Sequence, residues 1–461
     1  MEEMLNKKGN ESVIKQHTRI YAKKPSGKLF RLRQTVGYLL LAFFVVAPFI
    51  KVSGNPLLMF NILDRKFSIF GTMFYPQDLY IFVFGMLIIM VGIVLFTAIY
   101  GRVWCGWTCP QTVFMELVFR RIEYMIEGDW IQQRRLDEGP DSDMRAVKKI
   151  SKHAIFLFIS FFISNIFLAY VIGIDDLLKI ATDPIGNHII GFISIIVFTL
   201  IFYSVFAHIR EIVCTTICPY GRLQGVLLDE QSITVAYNAT RGEPRGKLTA
   251  KSSGRVGDCI DCKLCVHVCP TGIDIREGIQ MECVSCTACI DACDTVMEKI
   301  DKPKRLIGFY SAKQLSGEKS EKYAVGRTIT YTSILLLLIS IFGVLLHNRS
   351  VIDGRILRAK GSGYQFIEEE RVSNLYTLEL MNKSGKEMPF VLEPIDPEIE
   401  LKLVNNISKL KKDGSATISF FLIKDVNSVN EYKEDVKINI KSGNDVLTKL
   451  KTTFVAPPTT K

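Results

Sequence analysis

Residues 258 to 297, DCIDCKLCVHVCPTGIDIREGIQMECVSCTACIDACDTVM, contain eight of the chain's twelve cysteines. They form two runs with the same spacing, C-x-x-C-x-x-C-x-x-x-C. The first run is Cys259, Cys262, Cys265 and Cys269, and the second is Cys283, Cys286, Cys289 and Cys293. This spacing is typical of two-cluster bacterial ferredoxins, in which three thiolates of one run bind a cubane and the fourth crosses to the other cubane. A ferredoxin-like α+β domain is therefore expected.

The crossed pattern assigns four thiolates to each cluster. One [4Fe–4S] cluster would be bound by Cys259, Cys262, Cys265 and Cys293, and the second by Cys269, Cys283, Cys286 and Cys289. The alternative is a pair of structural zinc sites, because zinc also needs only four thiolates. Three ligands within seven residues, in both runs, favour iron–sulfur clusters. Asp294 occupies the position where a proline usually follows the second run, and that proline binds no metal.

Five apolar stretches are each long enough to cross a bilayer, which takes about 20 residues. They are residues 36–53, 79–100, 154–174, 189–207 and 328–346. Hydrophobic residues make up 48% of the 461 residues, which fits a membrane protein with large polar parts. The first stretch is the weakest, because it is short and contains Pro48.

The loops between these stretches differ in charge. Lys and Arg number nine in residues 1–35, nine in 101–153 and seventeen in 208–327, but two in 52–78 and one in 175–188. Because positively charged loops stay in the cytoplasm, we expect a multi-pass protein of the bacterial inner membrane whose N-terminus and cysteine cassette are cytoplasmic. The net charge of +10 is then a topology signal, so lipid and not nucleic acid is the expected partner.

Residues 350–461 change character. Alternating runs such as LYTLEL, ATISFFLI and VKINI are separated by Asn, Gly, Lys and Asp. They predict an antiparallel β-sandwich of about 100 residues on the far side of the membrane. The five predicted parts are a cytoplasmic tail (1–35), a four-helix transmembrane region (36–224), a cytoplasmic dicluster domain (225–327), a fifth transmembrane helix (328–347) and a periplasmic Ig-like β-sandwich (348–461).

Segment 111–136 has apolar residues at helical spacing with charged residues between them. The apolar set is Phe114, Leu117, Val118, Ile122, Met125 and Ile126. Two interpretations are open. The segment is either a helix lying in the membrane interface or a helix packed on the cytoplasmic domain.

Two shorter motifs have the pattern C-x-x-x-C-P just after the second and fourth apolar stretches. GRVWCGWTCPQ contains Cys105 and Cys109, and REIVCTTICPYGR contains Cys214 and Cys218. The i, i+4 spacing predicts two sulfurs on one helical face, with the proline ending that turn or starting a new one.

Three interpretations of these four cysteines compete. Two copies with one spacing argue against unreactive buried thiols, and a reducing compartment argues against disulfides. The third is a soft metal or redox site for Cu(I), zinc or iron–sulfur, built by each motif alone or by both together. The adjacent Arg210 and Glu211 are expected to pair with each other or with lipid headgroups.

GRVWCGWTCPQTVFMELVFRRIE, CPYGRLQGVLLDEQSITVAYNATRGEPRG and the double cassette together resemble the cytochrome c oxidase accessory protein family, called CcoG, FixG or RdxA. The similarity runs over nearly the whole chain, including the C-terminal β-domain. More distant relatives with the same C-x-x-x-C-P pair are quinol dehydrogenases of the NapH and NosR type.

The resemblance implies a role in maturing a cbb-type oxidase, by reducing Cu(II) to Cu(I) during copper delivery. Cys105, Cys109, Cys214 and Cys218 then match the family's membrane cysteines and are the candidate catalytic copper ligands. Implied partners are a cytoplasmic electron donor and copper-delivery or oxidase assembly factors. The alternative is a quinol dehydrogenase-type relay subunit of a respiratory complex.

Overall fold

The computed structural model describes residues 19–52, 54–62, 65–184, 186, 188–246, 257–317, 325–350, 352–359, 363–367, 371–383, 386–404, 409–412, 414–429, 431–443 and 445–457. The described residues form two compact units. One draws on segments 1–45, 88–167 and 180–337, and the other on segments 46–87, 168–179 and 338–461.

Five helices are long and apolar enough to cross a membrane, which confirms the predicted number. They are Lys28–Phe49, Leu79–Tyr100, Asp143–Ile172, Ile189–Ile209 and Thr328–His347. The first and third begin well before the predicted residues 36 and 154. Hydropathy marks only the part of a helix that suits lipid, whereas these two helices continue into polar, positively charged turns.

The segment after the second long helix folds into short helices and turns. They are Val103–Trp107, Pro110–Phe114, the π-helical turn Met115–Phe119, Arg120–Ile126 and Trp130–Glu138. Phe119 is fully buried and stacks on Phe206 at a centroid distance of 4.5 Å, and it contacts Phe156 edge-on. The apolar face of 111–136 therefore packs against two of the long helices, an outcome that neither interpretation anticipated. Met125 points outward and is 74% exposed.

The ferredoxin-like part has the expected α+β character. Strand Thr234–Tyr237 pairs antiparallel with strand Ile307–Tyr310, and between them lie helices Leu264–His267 and Ala288–Lys299. The ferredoxin-like part and its flanks also contain the short helices Pro219–Leu227, Ala239–Gly242 and Ala312–Leu315. The fully buried Ile290 belongs to the apolar core beneath the strand pair.

The C-terminal β-sandwich is confirmed. One sheet orders its strands as Glu400–Leu403, Ser415–Asp425, Arg371–Asn382 and Ile352–Arg358, with Gln365–Ile367 also paired to Arg371–Asn382. Another has the order Val391–Pro394, Lys433–Ser442 and Asp445–Val455, and Met388–Pro389 pairs with Lys409–Leu410. Alternation buries Tyr376 and Leu378 on one strand and Ile418 and Phe420 on its neighbour.

A small sheet in residues 51–74 was not predicted. Strands Leu58–Asn61, Lys66–Ile69 and Thr72–Phe74 form an antiparallel meander, and Lys51–Val52 pairs with Asn55–Pro56. Helix Ile174–Thr182 belongs largely to the same unit. Strands this short have too little periodicity to be recognised in a sequence.

A buried charge cluster lies just before the second long helix. The carboxylate of Asp78 accepts hydrogen bonds from Nζ of Lys383 at 2.7 Å and from Nη2 of Arg349 at 2.8 Å. Asp78 and Lys383 are almost completely buried, and the Arg349 guanidinium lies over the ring of Phe74. The two cations hold the pKa of Asp78 below its usual value although burial opposes ionisation. This cluster connects the β-sandwich to residues that precede the helix.

Candidate functional site

The eight cassette cysteines line two separate cavities. The first is lined by Cys259, Cys262, Cys265 and Cys293, which would be its sulfur ligands. The second is lined by Cys269, Cys283, Cys286 and Cys289, together with Cys265. The structure therefore brings together the same two crossed sets of thiols that the spacing predicts.

The chemistry of these cavities fits iron–sulfur cubanes. Each cavity is lined by at least four thiols and by apolar side chains. Four thiolates around an apolar space are the ligand set of a [4Fe–4S] cubane.

The backbone on both sides of the second cysteine of each run is left-handed. Asp261 and Lys263 flank Cys262 with φ angles of 53° and 56°, and Ser285 and Thr287 flank Cys286 with φ angles of 53° and 65°. Such left-handed residues turn successive N–H groups toward one side, which favours a bound anion. A thiolate-ligated cluster carries negative charge, so both loops suit it.

Burial controls the state of the free thiols. It raises the pKa of Cys283 to about 12 and that of Cys286 to about 11, against an ordinary value of 9.0. At neutral pH both groups keep their protons until a metal displaces them, which is how thiolate ligation couples to proton release.

The C-x-x-x-C-P motifs bend between their two cysteines. Cys105 lies in helix Val103–Trp107, but Cys109 has extended backbone and precedes the helix that Pro110 begins. Cys214 lies in the π-helical turn Val213–Ile217, and Cys218 precedes the helix that Pro219 begins. The prediction that each proline ends the turn or starts a new one is confirmed, since each begins a helix. The prediction that both sulfurs share one helical face is wrong, because Cys109 and Cys218 have extended backbone.

The two motifs converge into one group, which we call the thiol quartet: Cys105, Cys109, Cys214 and Cys218. Burial raises the pKa of Cys214 to about 12, and the other three thiols lie near enough to raise it further. The Cys105 thiol donates a hydrogen bond to Oε1 of Gln224 at 2.9 Å, and Nε2 of Gln224 donates to the hydroxyl of Thr97 at 3.0 Å. The sequence left open whether the motifs act separately or together, and the structure places them together.

The thiol quartet packs directly on the second cassette cavity. Cys105 belongs to a buried apolar cluster with Val284 and Cys286, and Cys214 and Cys289 pack on the same cluster. The contact is close because Gly106 has no side chain. A Cβ atom at Gly106 would lie 2.4 Å from the carbonyl oxygen of Val284 and 3.0 Å from the Cα of Cys286.

Two arginines strengthen this contact. Nε of the buried Arg33, in the first long helix, donates to the carbonyl oxygen of Gly106 at 2.7 Å. Arg102, which precedes the first motif, donates to the carbonyl oxygen of Met281 in the second run's loop. Neither arginine was singled out in the sequence, since only the fold brings these segments together.

The two cavities differ in exposure. Cys262 is the one exposed thiol among the twelve cysteines, all of which the structure describes, and it belongs to the first cavity. In the second cavity Cys286 is buried beneath the thiol quartet. The first cavity is therefore open to solvent at Cys262, which we call the open end. The second is covered by the thiol quartet, which we call the closed end.

Arg210 has a strained backbone between the π-helical turns Val205–Ile209 and Val213–Ile217, with φ of 54°. Its guanidinium donates to both carboxylate oxygens of Glu123, at 2.6 and 2.7 Å. Glu211 instead binds Arg120. The expected pairing of Arg210 with Glu211 is thus secondary, at 3.7 Å. Burial opposes ionisation of Glu123, but the Arg210 charge outweighs it and holds the pKa at about 2.

Three family models match successive parts of the chain. A 4Fe-4S binding domain matches residues 82–135, which include Cys105 and Cys109. A 4Fe-4S dicluster domain matches residues 209–312, and the Ig-like fold at the C-terminus of FixG matches residues 342–457. The β-sandwich is thus Ig-like, as expected.

Curated relatives are similar over much of the chain. Protein RdxA of Cereibacter sphaeroides is 34% identical over 400 residues, which cover 83% of each chain. Nitrogen fixation protein FixG of Rhizobium meliloti is 36% identical over 310 residues, covering 64% of this chain and 58% of FixG. A crystal structure of a FixG-related protein from Vibrio parahaemolyticus aligns to 24% of this chain at 15% identity, with a TM-score of 0.21. The chain belongs to the FixG/RdxA family of iron–sulfur membrane proteins.

Proposed function

We propose that this protein is a membrane-bound reductase that passes single electrons to copper(II), and so supplies copper(I) for assembly of a cbb-type cytochrome c oxidase. One observation carries the proposal: the thiol quartet packs on the ligand loop of the second cassette cavity, with Cys105 against Cys286. An acceptor bound by the quartet would lie beside that cavity.

The open and closed ends set the direction of electron flow. A soluble donor can approach the first cavity at the exposed Cys262. The second cavity is covered by the quartet, so electrons leave there. Bound [4Fe–4S] clusters would supply one-electron redox chemistry, and the eight cassette thiols would hold them.

The quartet suits copper as a substrate. Copper changes charge by one electron, and thiolates without nearby imidazole favour its reduced form. Gln224 and Arg33 are positioning residues. Gln224 accepts a hydrogen bond from the Cys105 thiol, and Arg33 donates one to the Gly106 carbonyl, which lies against the cassette loop. We place the cassette and quartet on the cytoplasmic side of the bacterial inner membrane and the β-sandwich outside, on the charge of the loops.

The test uses protein purified without oxygen. The wild type should contain about eight iron atoms, the number in two cubanes. Reduced protein should turn copper(II) into copper(I), seen with a copper(I)-specific chelator, while the cluster absorbance returns to its oxidised form. Serine at all four quartet positions should abolish copper reduction and leave the iron content unchanged.

The outcomes separate the candidates. Copper reduction that persists in the quadruple serine variant would exclude the quartet as the copper site. About twelve iron atoms, falling to about eight in that variant, would instead assign a third cluster to the quartet. Re-reduction of the clusters by a quinol, with no response to copper(II), would support the quinol dehydrogenase alternative.

A further inference from the structure

A third, small cavity lies beside Cys214. One wall is the second thiol motif with Arg210 and Cys214. The opposite wall is formed by Val284 of the second cysteine run and by Pro270 and Thr271, which follow the first run. The Thr271 hydroxyl lies 3.4 Å from Sγ of Cys269. A species in this cavity would contact a quartet thiol and a neighbour of a cassette ligand at the same time. Of the four quartet thiols, only Cys214 lines a cavity described here, whereas Cys105 is buried and bonded to Gln224.

The remaining wall is one face of the helix after Pro110. Gln111, Thr112, Met115 and Glu116 have the spacing i, i+1, i+4 and i+5, which puts them on one side of a helix, and all four line the cavity. Thr112 also contacts the Cys214 thiol. Met115 begins the π-helical turn Met115–Phe119 that continues this helix, and Met115 and Cys214 both line the cavity.

We infer that this cavity is the copper-binding site, and that Met115 supplies a thioether ligand beside the Cys214 thiolate. The inference rests on the proposed function and adds a residue outside the four cysteines. Thioethers are soft ligands and favour copper(I) over copper(II), as thiolates do. Two sulfurs at one cavity therefore bind the product ion more tightly than a hydrated substrate ion.

Arg210 supports a ligand in the same space. It is 8% exposed, and its two terminal nitrogens bind Glu123. Its Nε makes no hydrogen bond among the described residues, and the carboxylate of Glu211 lies 3.7 Å from it. A buried N–H left without an acceptor is costly. Copper(II) arrives with oxygen ligands, and a water held by the ion would give this N–H an acceptor.

The redox step balances with one electron. A copper(II) ion with bound water enters the cavity, the Cys214 thiol releases its proton to solvent, and its sulfur binds the ion. A cluster held by Cys269, Cys283, Cys286 and Cys289 would supply the one electron that converts copper(II) to copper(I), and a soluble one-electron donor on the cytoplasmic side would restore it. Water leaves the ion as the Met115 sulfur takes its place.

If Met115 serves only to fill the apolar core, its replacement by leucine should leave copper(I) binding unchanged. Met115 is 3% exposed and also belongs to the apolar cluster around Phe119, so a leucine of similar volume would keep its packing. Met125, on the same stretch of helix, is 74% exposed and faces away from that cluster. Met125→Leu is therefore the matched control for Met115→Leu.

The experiment measures copper(I) affinity of the full-length protein in detergent, without oxygen or electron donor, by competition with a chromophoric chelator. Met115→Leu should weaken copper(I) binding about tenfold or more, while Met125→Leu should leave it unchanged. Copper X-ray absorption should show fewer sulfur neighbours in Met115→Leu. Iron content and unfolding temperature confirm that each variant is intact.

The outcomes distinguish this inference from the proposed function. If wild type binds copper(I) through the quartet and Met115→Leu binds it equally well, Met115 is a packing residue and the inference is wrong, while the reductase proposal stands. If wild type protein binds no copper(I), the proposed copper reduction itself is overturned.

Discussion

The carboxylate of Asp291 accepts a hydrogen bond from the backbone N–H of Phe30 at 2.7 Å. Its other oxygen accepts from the N–H of Leu29 at 3.2 Å. Asp291 lies between the cassette ligands Cys289 and Cys293, and Leu29 and Phe30 lie in the first turn of the first long helix. A residue of the cassette thus satisfies the free N–H groups at the start of a membrane-spanning helix.

Asp291→Ala should lower the free energy of unfolding by about 1 kcal/mol, the usual effect of removing a side-chain cap. Thermal unfolding of the purified protein in detergent measures it. Glu298→Ala, on the exposed side of the same helix, should change the unfolding temperature very little. Equal effects of the two substitutions would show that the cap contributes nothing.

Gly106→Ala should separate the first thiol motif from the second cassette loop. The added methyl group would lie 2.4 Å from a backbone oxygen that cannot rotate away. Overpacking of this kind typically costs about 1–3 kcal/mol. Copper reduction should slow, and the EPR signal of one of the two clusters should change.

Gly225→Ala is the matched control for that substitution. A Cβ atom there would make ordinary contacts of 3.5 Å or more with the Met281 side chain, and Gly225 lies in a helix, where alanine is favoured. It should leave copper reduction and both cluster signals unchanged. A wild-type EPR spectrum in Gly106→Ala would contradict the close contact described here.

The features that were predicted are the ones encoded locally. The ligand spacing of Cys259 to Cys293 assigns thiols to two cavities because each loop places its own three sulfurs. Long apolar runs mark spans, and alternation marks the β-sandwich strands. The convergence of Cys105 with Cys214 is different. It depends on how distant segments pack, and nothing in either motif specifies the other.

The new helix at each proline was among the predicted outcomes, but the break before it was not. Spacing alone predicts Cys214 and Cys218 on one helical face, whereas a π-helical turn ends at Ile217 and Cys218 has extended backbone before the helix that Pro219 begins. The strained Arg210 gave no sequence signal, since glycine or asparagine would be expected at a positive φ. Only its contact with Glu123 explains why arginine occupies that position.

The stability of the protein should fall in acid partly because of Glu123. Its pKa is about 2 in the folded protein and 4.5 ordinarily, so it contributes stability above about pH 4.5 that is lost as the pH falls toward 2. Glu123→Gln should be less stable at pH 7 by about 3–5 kcal/mol, because it leaves the Arg210 charge buried.

Unfolding temperature as a function of pH tests this. Between pH 4.5 and pH 2 the curve of Glu123→Gln should be flatter than that of the wild type. Glu138→Gln, which changes an exposed carboxylate, should have the wild-type slope. A variant curve parallel to the wild type would contradict the assigned pKa.

Asp78→Asn should destabilise the unit that contains the β-sandwich. It removes the carboxylate shared by the buried cations of Lys383 and Arg349 and leaves Lys383 only the partly exposed Asp353 at 3.4 Å; breaking a buried ion pair typically costs about 3–5 kcal/mol. Glu400→Gln, which disrupts the exposed pair with Arg371, should cost under about 1 kcal/mol. Proteolysis of the full-length protein in detergent, followed by the rate at which the β-sandwich is cleaved, compares the two variants.

The exposure of Cys262 makes the two cassette sites unequally vulnerable. Oxygen and chelators reach the first cavity from solvent, while the quartet shields the second, so damage should begin with the outer cluster. A preparation handled in air would then contain about half of its iron. Such a sample would have lost the exposed cluster while keeping the one beneath the thiol quartet, so it would seem inactive in electron transfer although its quartet thiols were undamaged.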